Sequence, residues 1–196
     1  MKTALCQLNY KVADIEGNCR KIIHAIRTAK QQGAGLAVFS ELAVCGYPPL
    51  DMLENRDFIE SCNKAILEIA GEANGITVVL GGPVLNEAEK GKKLFNAAFV
   101  LAGGKINSIH RKTLLTTYDV FDEYRYFEPG RKFDLVEFKG KKIALTVCED
   151  LWDLGNDPLY VVNPMDELIK GQPDFIINIA ASPFHYEQAE IRRNVL

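Results

Sequence analysis

Three side chains of this sequence, a thiol, a carboxylate and an ammonium, each stand just beyond an apolar, strand-like run. Cys148 closes Lys141-Lys-Ile-Ala-Leu-Thr-Val147 and is followed by Glu149-Asp-Leu-Trp152; Glu41 follows Leu36-Ala-Val-Phe-Ser40, and Lys112 follows Gly104-Lys-Ile-Asn-Ser-Ile109. Open α/β sheets gather their chemistry at the carboxyl ends of their strands. A thiol attacks a carboxamide as the thiolate, and free cysteine titrates near roughly 8.5, so a neighbouring base or cation has to provide for its deprotonation. Glu41 suits transfer of the Cys148 proton to departing ammonia. Lys112 suits an oxyanion, with the Glu149 backbone N–H just past the elbow as a second donor. Together the three suggest attack on an amide bond by cysteine.

Each residue taken alone has a plainer reading. Cys148 fits a buried structural cysteine, since a free thiol packs as a small hydrophobe. Glu41 fits a helix cap or a surface carboxylate, and Lys112 fits one charge of the trio His110-Arg111-Lys112. Cys6, Cys19, Cys45 and Cys62 read as structural, with Cys45, in the loop beside Glu41, the least certain of them. A Cys-His dyad pairing Cys148 with His110 or His185 stays open, ranked below the Glu-Lys-Cys arrangement. His24, His110 and His185 have no metal-ligand spacing, so no metal is expected.

The elements that must position these groups alternate. Thr3 to Leu8 reads as a strand, and Asp14 to Gln32 as an amphipathic helix with Ile15, Cys19, Ile22, Ile23 and Ile26 at helical spacing, ended by Gly33-Ala-Gly35. Leu36 to Phe39 is a short apolar strand covered on both faces, with a loop containing Gly46, Pro48 and Pro49 after it. A second helix is expected from Asp51 to Asn74, then a strand from Ile76 to Leu80. Leu94 to Ala102 and Lys105 to Ile109 read as a hairpin across Gly103-Gly104, which makes the sheet mixed. Arg111 to Arg131 reads as a long functional loop carrying Tyr118, Phe121, Tyr124, Tyr126 and Phe127. Phe133 to Phe138 and Ile143 to Val147 form the next hairpin, Asp166 to Lys170 a helix and Phe175 to Ala180 a buried strand. Glu187 to Leu196 reads as an amphipathic helix with no glycine cap, and the chain is expected to be a fragment of a longer polypeptide.

The 196 residues are 47% hydrophobic and 25% charged, an ordinary globular composition for one domain. A net charge of −3 argues against a nucleic-acid or anionic-membrane surface. The five cysteines show no C-x-x-C pair and no disulfide-framework spacing, as suits a reducing compartment. The N-terminus lacks a signal-peptide core and no apolar run approaches the about 18 residues of a membrane span, so a cytoplasmic, soluble protein is expected.

Three blocks in order, Ser40-Glu-Leu-Ala-Val-Cys-Gly-Tyr-Pro-Pro49, His110-Arg-Lys-Thr-Leu-Leu115 and Thr146-Val-Cys-Glu-Asp-Leu-Trp152, resemble the signatures of the nitrilase (carbon-nitrogen hydrolase) superfamily. Gly46-Tyr-Pro-Pro-Leu-Asp51, Tyr118-Asp-Val-Phe-Asp-Glu-Tyr-Arg-Tyr-Phe127 with Pro129-Gly130, and Ala181-Ser-Pro-Phe-His185 are similar to the glutaminase domain of glutamine-dependent NAD+ synthetases. The resemblance implies an α/β nitrilase-like αββα sandwich, truncated at its C-terminus, with residues 1 to 196 forming an incomplete hydrolase domain. It implies Glu41 as general base, Lys112 as oxyanion-stabilising lysine and Cys148 as nucleophile. Tyr47, Tyr118, Phe121 and Glu123 match positions that line or order a glutamine pocket, and Glu149, Ser182 and Arg192 match positions near the amino-acid end of the substrate.

The same resemblance implies glutamine as substrate, no cofactor for its hydrolysis, a homo-oligomer, and a C-terminal synthetase domain as the consumer of ammonia. No Ser-Gly-Gly-x-Asp phosphate loop is present, so ATP and Mg would belong to that absent domain. Two alternatives stand beside it: a stand-alone nitrilase-family amidase or carbamoylase acting on another small amide, and a non-catalytic assembly module whose incomplete sandwich leaves apolar sheet surface for a partner.

Overall fold

The computed structural model describes residues 2–152, 160–183, 186–187, 189–190 and 193. Its first half repeats strand and helix. β1 (Thr3–Leu5) leads to α1 (Ile15–Gln31), β2 (Leu36–Val38), α2 (Arg56–Glu72) and β3 (Thr77–Leu85). The Asp14 side chain caps α1 by accepting the N–H of Gly17, and Gly33 leaves it at φ +76°, a conformation glycine adopts without a Cβ penalty. Cys19, Ile22, Ile26 and Ala29 of α1 and Ile59, Cys62, Ile66 and Ile69 of α2 form the buried stripes that cover one face of the sheet. Each such large apolar side chain contributes about 1.5–3 kcal/mol by leaving water.

β4 (Leu94–Ala102) and β5 (Lys105–Arg111) return antiparallel, giving a five-stranded sheet ordered β1-β2-β3-β4-β5 in which β1, β2 and β3 are parallel. β6 (Val136–Phe138), β7 (Lys141–Val147) and β8 (Phe175–Ile179) form a second sheet of three, antiparallel between β6 and β7 and parallel between β7 and β8. The sheets pack face to face through Leu36, Val79, Ala98 and Val100 of the first and Val136, Phe138, Ile143, Leu145, Val147 and Ile179 of the second. Helices, sheet and sheet are thus three stacked layers of the mixed-sheet sandwich expected from the sequence. The short α4 (Pro164–Ile169) lies against β7 and the turn that follows it.

Several elements differ in extent from their sequence patterns. The first strand ends at Leu5 rather than Leu8, because its partner β2 ends at Val38 and offers no further ladder after the Cys6 N–H to Val38 carbonyl bond at 2.8 Å. The helix expected over 51–74 divides. Leu50–Glu54 is a 3-10 turn, and α2 starts afresh at Arg56 because Asn55 is extended and its side chain accepts the N–H groups of Asp57 and Phe58. β3 runs on through Gly81, Gly82 and Pro83, past the point where β2 pairs with it, so the proline sits where the strand has one neighbour.

The loop of residues 111–131 contains a short helix, α3 (Glu123–Tyr126). β6 covers the last three residues of the expected 133–138 strand, and α4 begins at Pro164, capped by Asn163, two residues before its apolar pattern. His185, Arg192 and the greater part of the helix expected over 187–196 lie outside the described residues.

Candidate active site

Glu41 follows β2, Lys112 follows β5 and Cys148 follows β7, so all three leave carboxyl ends of strands. The turn at Glu41 is tight: the next residue, Leu42, has φ +47°, and the turn lies directly on Gly81 of β3, where a Cβ would fall 2.4 Å from the Ser40 carbonyl oxygen. Glycine at 81 is therefore what lets the carboxylate sit where it does. Cys148 has φ +46°, a strained conformation for a residue with a Cβ, and the sharp elbow turns its side chain out of the line of β7. Asn178 on β8 steadies the elbow by donating to the Cys148 carbonyl at 3.1 Å.

Lys112, with a side chain 1% exposed, donates to Glu41 Oε1 at 2.8 Å and lies 2.6 Å from Glu123 Oε2. Asn96 Nδ2 donates to both carboxylates, at 2.8 Å to Glu41 and 3.1 Å to Glu123. The Ala181 N–H donates to the other oxygen of Glu41 at 3.1 Å, and the Thr116 N–H and hydroxyl donate to Glu123. The cluster thus holds two carboxylates around one ammonium. Burial raises the Glu41 carboxyl above its ordinary range, the Lys112 charge opposing and Glu123 adding to that rise. Burial alone would lower Lys112, but the charges of Glu41 and Glu123 hold its ammonium well above the usual lysine value.

The charges that act on Cys148 are those of Glu41, Lys112 and Glu123. Burial, then the negative charge of Glu41, push the thiol up to about 12, against the opposing pull of Lys112 and of the Ser182 hydroxyl 3.7 Å away. Burial thus outweighs the Lys112 ammonium, and the Cys148 environment favours the thiol over the thiolate. His110 is engaged on its own strand by Ser108 Oγ at 2.9 Å, and burial lowers its pKa. Cys45 is fully buried against Cys62 and the Leu42 carbonyl, and these surroundings push its thiol well up, as suits a structural residue.

Ser182 also lines a cavity of about 340 Å³ with Tyr47, Pro48, Val120, Phe121, Ala181 and Pro183. That volume lies within the roughly 300–1,000 Å³ usual for small-molecule sites. The rings of Tyr47 and Phe121 are 6.1 Å apart, and those of Phe121 and Tyr118 5.7 Å, so the loop of 116–122 closes one wall. Tyr118 and Tyr160 both donate to the nearly buried Glu149 carboxylate, at 3.0 and 2.9 Å.

Of the residues singled out in the sequence, Glu41, Lys112, Glu123, Cys148 and Ser182 meet in one cluster; Tyr47 and Phe121 line the cavity beside Ser182, and Tyr118 joins Phe121 to Glu149; Arg192 lies outside the described residues. Sequence reasoning passed over Asn96, Tyr160 and Gly81. Asn96 had a signal, an amide in the middle of the buried apolar run Leu94–Ala102; Tyr160, in an aperiodic stretch, had none. Among the described residues no group of three or more His, Cys, Asp and Glu side chains is arranged to hold a metal ion. A roomier cavity of about 500 Å³, rimmed by Lys2, Lys30, Lys139 and Lys141, lies at the opposite ends of the strands and contains none of these groups.

Residues 2–153 match the family model described as carbon-nitrogen hydrolase. The chain belongs to the carbon-nitrogen hydrolase family. It is 37% identical to the glutamine-dependent NAD(+) synthetase of Synechocystis sp. over 98% of its own length and 36% of that protein's. The corresponding enzyme of Thermotoga maritima is 35% identical over 100% of this chain and 32% of its own length. Among solved structures, the glutamine-dependent NAD+ synthetase from Acinetobacter baumannii superimposes with a TM-score of 0.85 at 30% identity, over 97% of this chain and 34% of that one. The chain therefore spans about a third of the length of the relatives it matches. It is a carbon-nitrogen hydrolase domain of nitrilase-like fold, related to the glutaminase part of those synthetases. Among the described residues no helix is long and apolar enough to cross a membrane.

Proposed function

We propose that this carbon-nitrogen hydrolase domain hydrolyses glutamine to glutamate and ammonia through a thioester on Cys148, with Glu41 and Lys112 as its partners. The observation that carries the proposal is the buried Glu41–Lys112 pair at 2.8 Å whose charges both act on the Cys148 thiol. Cys148 Sγ adds to the side-chain carbonyl carbon of glutamine while Glu41 takes the thiol proton. The carbonyl oxygen becomes an oxyanion facing the Lys112 ammonium and the Glu149 N–H. Glu41 returns the proton to the amide nitrogen as the C–N bond breaks, ammonia leaves, and a γ-glutamyl thioester remains. Water then loses a proton to Glu41 and attacks the thioester; the thiolate leaves, regains the proton, and glutamate is released.

Glutamine would lie in the cavity beside Ser182, with Tyr47, Tyr118 and Phe121 along its chain. Glu149, held by Tyr118, and Ser182 and Arg192 would receive its amino-acid end. Glu123 has a supporting part, holding Lys112 from the side opposite Glu41. No cofactor enters these steps. A C-terminal synthetase domain in the full-length protein would consume the ammonia, with ATP and Mg bound there, and the setting we propose is a homo-oligomer in the cytoplasm, a reducing compartment that suits five free cysteines.

Two measurements test this reading. Ammonia release is compared for glutamine, asparagine and simple amides, and intact mass is recorded after exposure to a glutamine-like diazo-ketone. Expected are turnover confined to glutamine and a single label that Cys148→Ala abolishes. Turnover of simple amides in preference to glutamine, or labelling unchanged by Cys148→Ala, would overturn it.

A further inference from the structure

The reactive groups come from two different sheets. Glu41 and Lys112 leave the five-stranded sheet, whereas Cys148 and Ser182 leave the three-stranded one. The separation of base, cation and nucleophile therefore depends on how the sheets are fixed to each other at their carboxyl ends, and apolar packing between sheets is not directional.

Asp150, two residues beyond the nucleophile and 4% exposed, spans that junction. Its Oδ1 accepts the N–H groups of Thr113 and Leu114, both at 2.8 Å, and these are the residues directly after Lys112. Its Oδ2 accepts the N–H of Val147 at 3.1 Å, the residue directly before Cys148. We propose that Asp150 is a positioning residue for the amide hydrolysis proposed above, clamping the peptide that follows Lys112 to the peptide that precedes Cys148 and so setting the thiol against its base.

A carboxylate is the side chain that this place demands. Ionised, it offers acceptors on both oxygens and no donor, matching three N–H groups that converge from two strands, and those N–H groups with Lys112 oppose the rise to about 7 that burial imposes on it. Asparagine keeps one acceptor and turns an NH2 toward N–H groups on the other side, so one arm of the clamp becomes repulsive while the side chain's shape is kept. The elbow at Cys148 has φ +46° and does not rest there of its own accord. Asn178 fixes its carbonyl from β8, but that bond lies within the second sheet and cannot register it on the first. Asp150 bridges from the elbow to the first sheet backbone to backbone, while the Ala181 N–H that donates to Glu41 ties the end of β8 to the same sheet.

The test compares the parent chain with Asp150→Asn, using Glu41→Gln as reference. Three quantities are read: kcat and KM on glutamine, the pH profile of Cys148 alkylation by chloroacetamide, and the melting temperature. In Asp150→Asn, kcat should fall roughly 10- to 100-fold, the scale of a misplacement of about 1 Å, with KM changed less than about twofold. The inflection in the alkylation profile that Glu41→Gln removes should also be lost in Asp150→Asn. A variant that melts lower but keeps both kcat and the parent's profile would show a merely structural residue and overturn the proposal. If the parent releases no ammonia from glutamine, the proposed function fails, and the alkylation profiles still decide the part played by Asp150. Should the variant fail to fold, amide hydrogen exchange in the parent decides: Thr113, Leu114 and Val147 are expected to be protected, and exchange at exposed-loop rates would show that the clamp does not exist.

Discussion

The Lys112 ammonium lies 2.8 Å from Glu41 Oε1, both side chains being withdrawn from solvent. A buried carboxylate and its cation are mutually dependent, since removing one leaves the other desolvated and unpaired, at a cost of about 3–5 kcal/mol. Lys112 answers two carboxylates at once, so its loss is felt twice.

Lys112→Ala is therefore expected to reduce kcat more than it raises KM, because its contact with the substrate oxygen strengthens as charge develops. It should also lower the melting temperature. Glu41, already raised by burial, loses the cation that opposes the rise, so its folded pKa moves further above the unfolded value of about 4.3. The stability that such a group contributes is present below the unfolded pKa and lost as pH rises through the folded one. Melting curves of the variant and the parent should thus lie closer together near about pH 4 than near about pH 8. An equal gap at both would contradict the pairing.

The thiol should titrate late. Ultraviolet absorbance of the Cys148 thiolate, taken as the difference between parent and Cys148→Ala, is expected to appear with a midpoint near about 12. If Glu41 is the base, the acid limb of kcat/KM reports it in the free enzyme and should lie above about 4.3, the value of an ordinary glutamate. A thiolate midpoint at or below roughly 8.5 would mean a standing ion pair rather than a thiol deprotonated during attack.

Gly81→Ala tests how Glu41 is placed. The added Cβ would come within 2.4 Å of the Ser40 carbonyl and 2.5 Å of the Leu42 nitrogen, all of it backbone. The turn has to move, at about 1–3 kcal/mol in stability. Turnover per folded molecule should fall by about tenfold or more, since general-base geometry is sensitive to such shifts. Unchanged kcat would show that the turn relaxes without carrying Glu41 with it.

Tyr118→Phe removes one of the two hydroxyls that hold Glu149. A hydrogen bond to a charged group is worth about 1.5–3 kcal/mol, and the loss should fall on binding because Glu149 is assigned to the amino-acid end of the substrate. KM for glutamine is expected to rise about tenfold or more with kcat nearly kept. A drop confined to kcat would place Tyr118 at the reacting carbonyl instead.

Much of this arrangement was legible in the chain. Glu41, Lys112 and Cys148 could be picked out because each is a reactive side chain directly after an apolar run, and the two helices because Ile22 and Ile26, or Ile59, Cys62 and Ile66, recur at helical spacing. Boundaries were less legible where a local side chain intervened, as Asn55 does in restarting α2. Asn96 was overlooked because its significance depends on two carboxylates that are 55 and 27 residues away in sequence.

The sequence by itself determined the alternation of strands and helices, the membership in the carbon-nitrogen hydrolase family and the choice of Glu41, Lys112 and Cys148 as candidates, because periodicity and local motif are properties of neighbours along the chain. Only the tertiary structure decided that Lys112 is shared between Glu41 and Glu123, that burial raises the Cys148 thiol, and that Asp150 joins the two sheets. Those facts arise from burial and from contacts between segments distant in sequence, where desolvation and the direction of each hydrogen bond set the outcome.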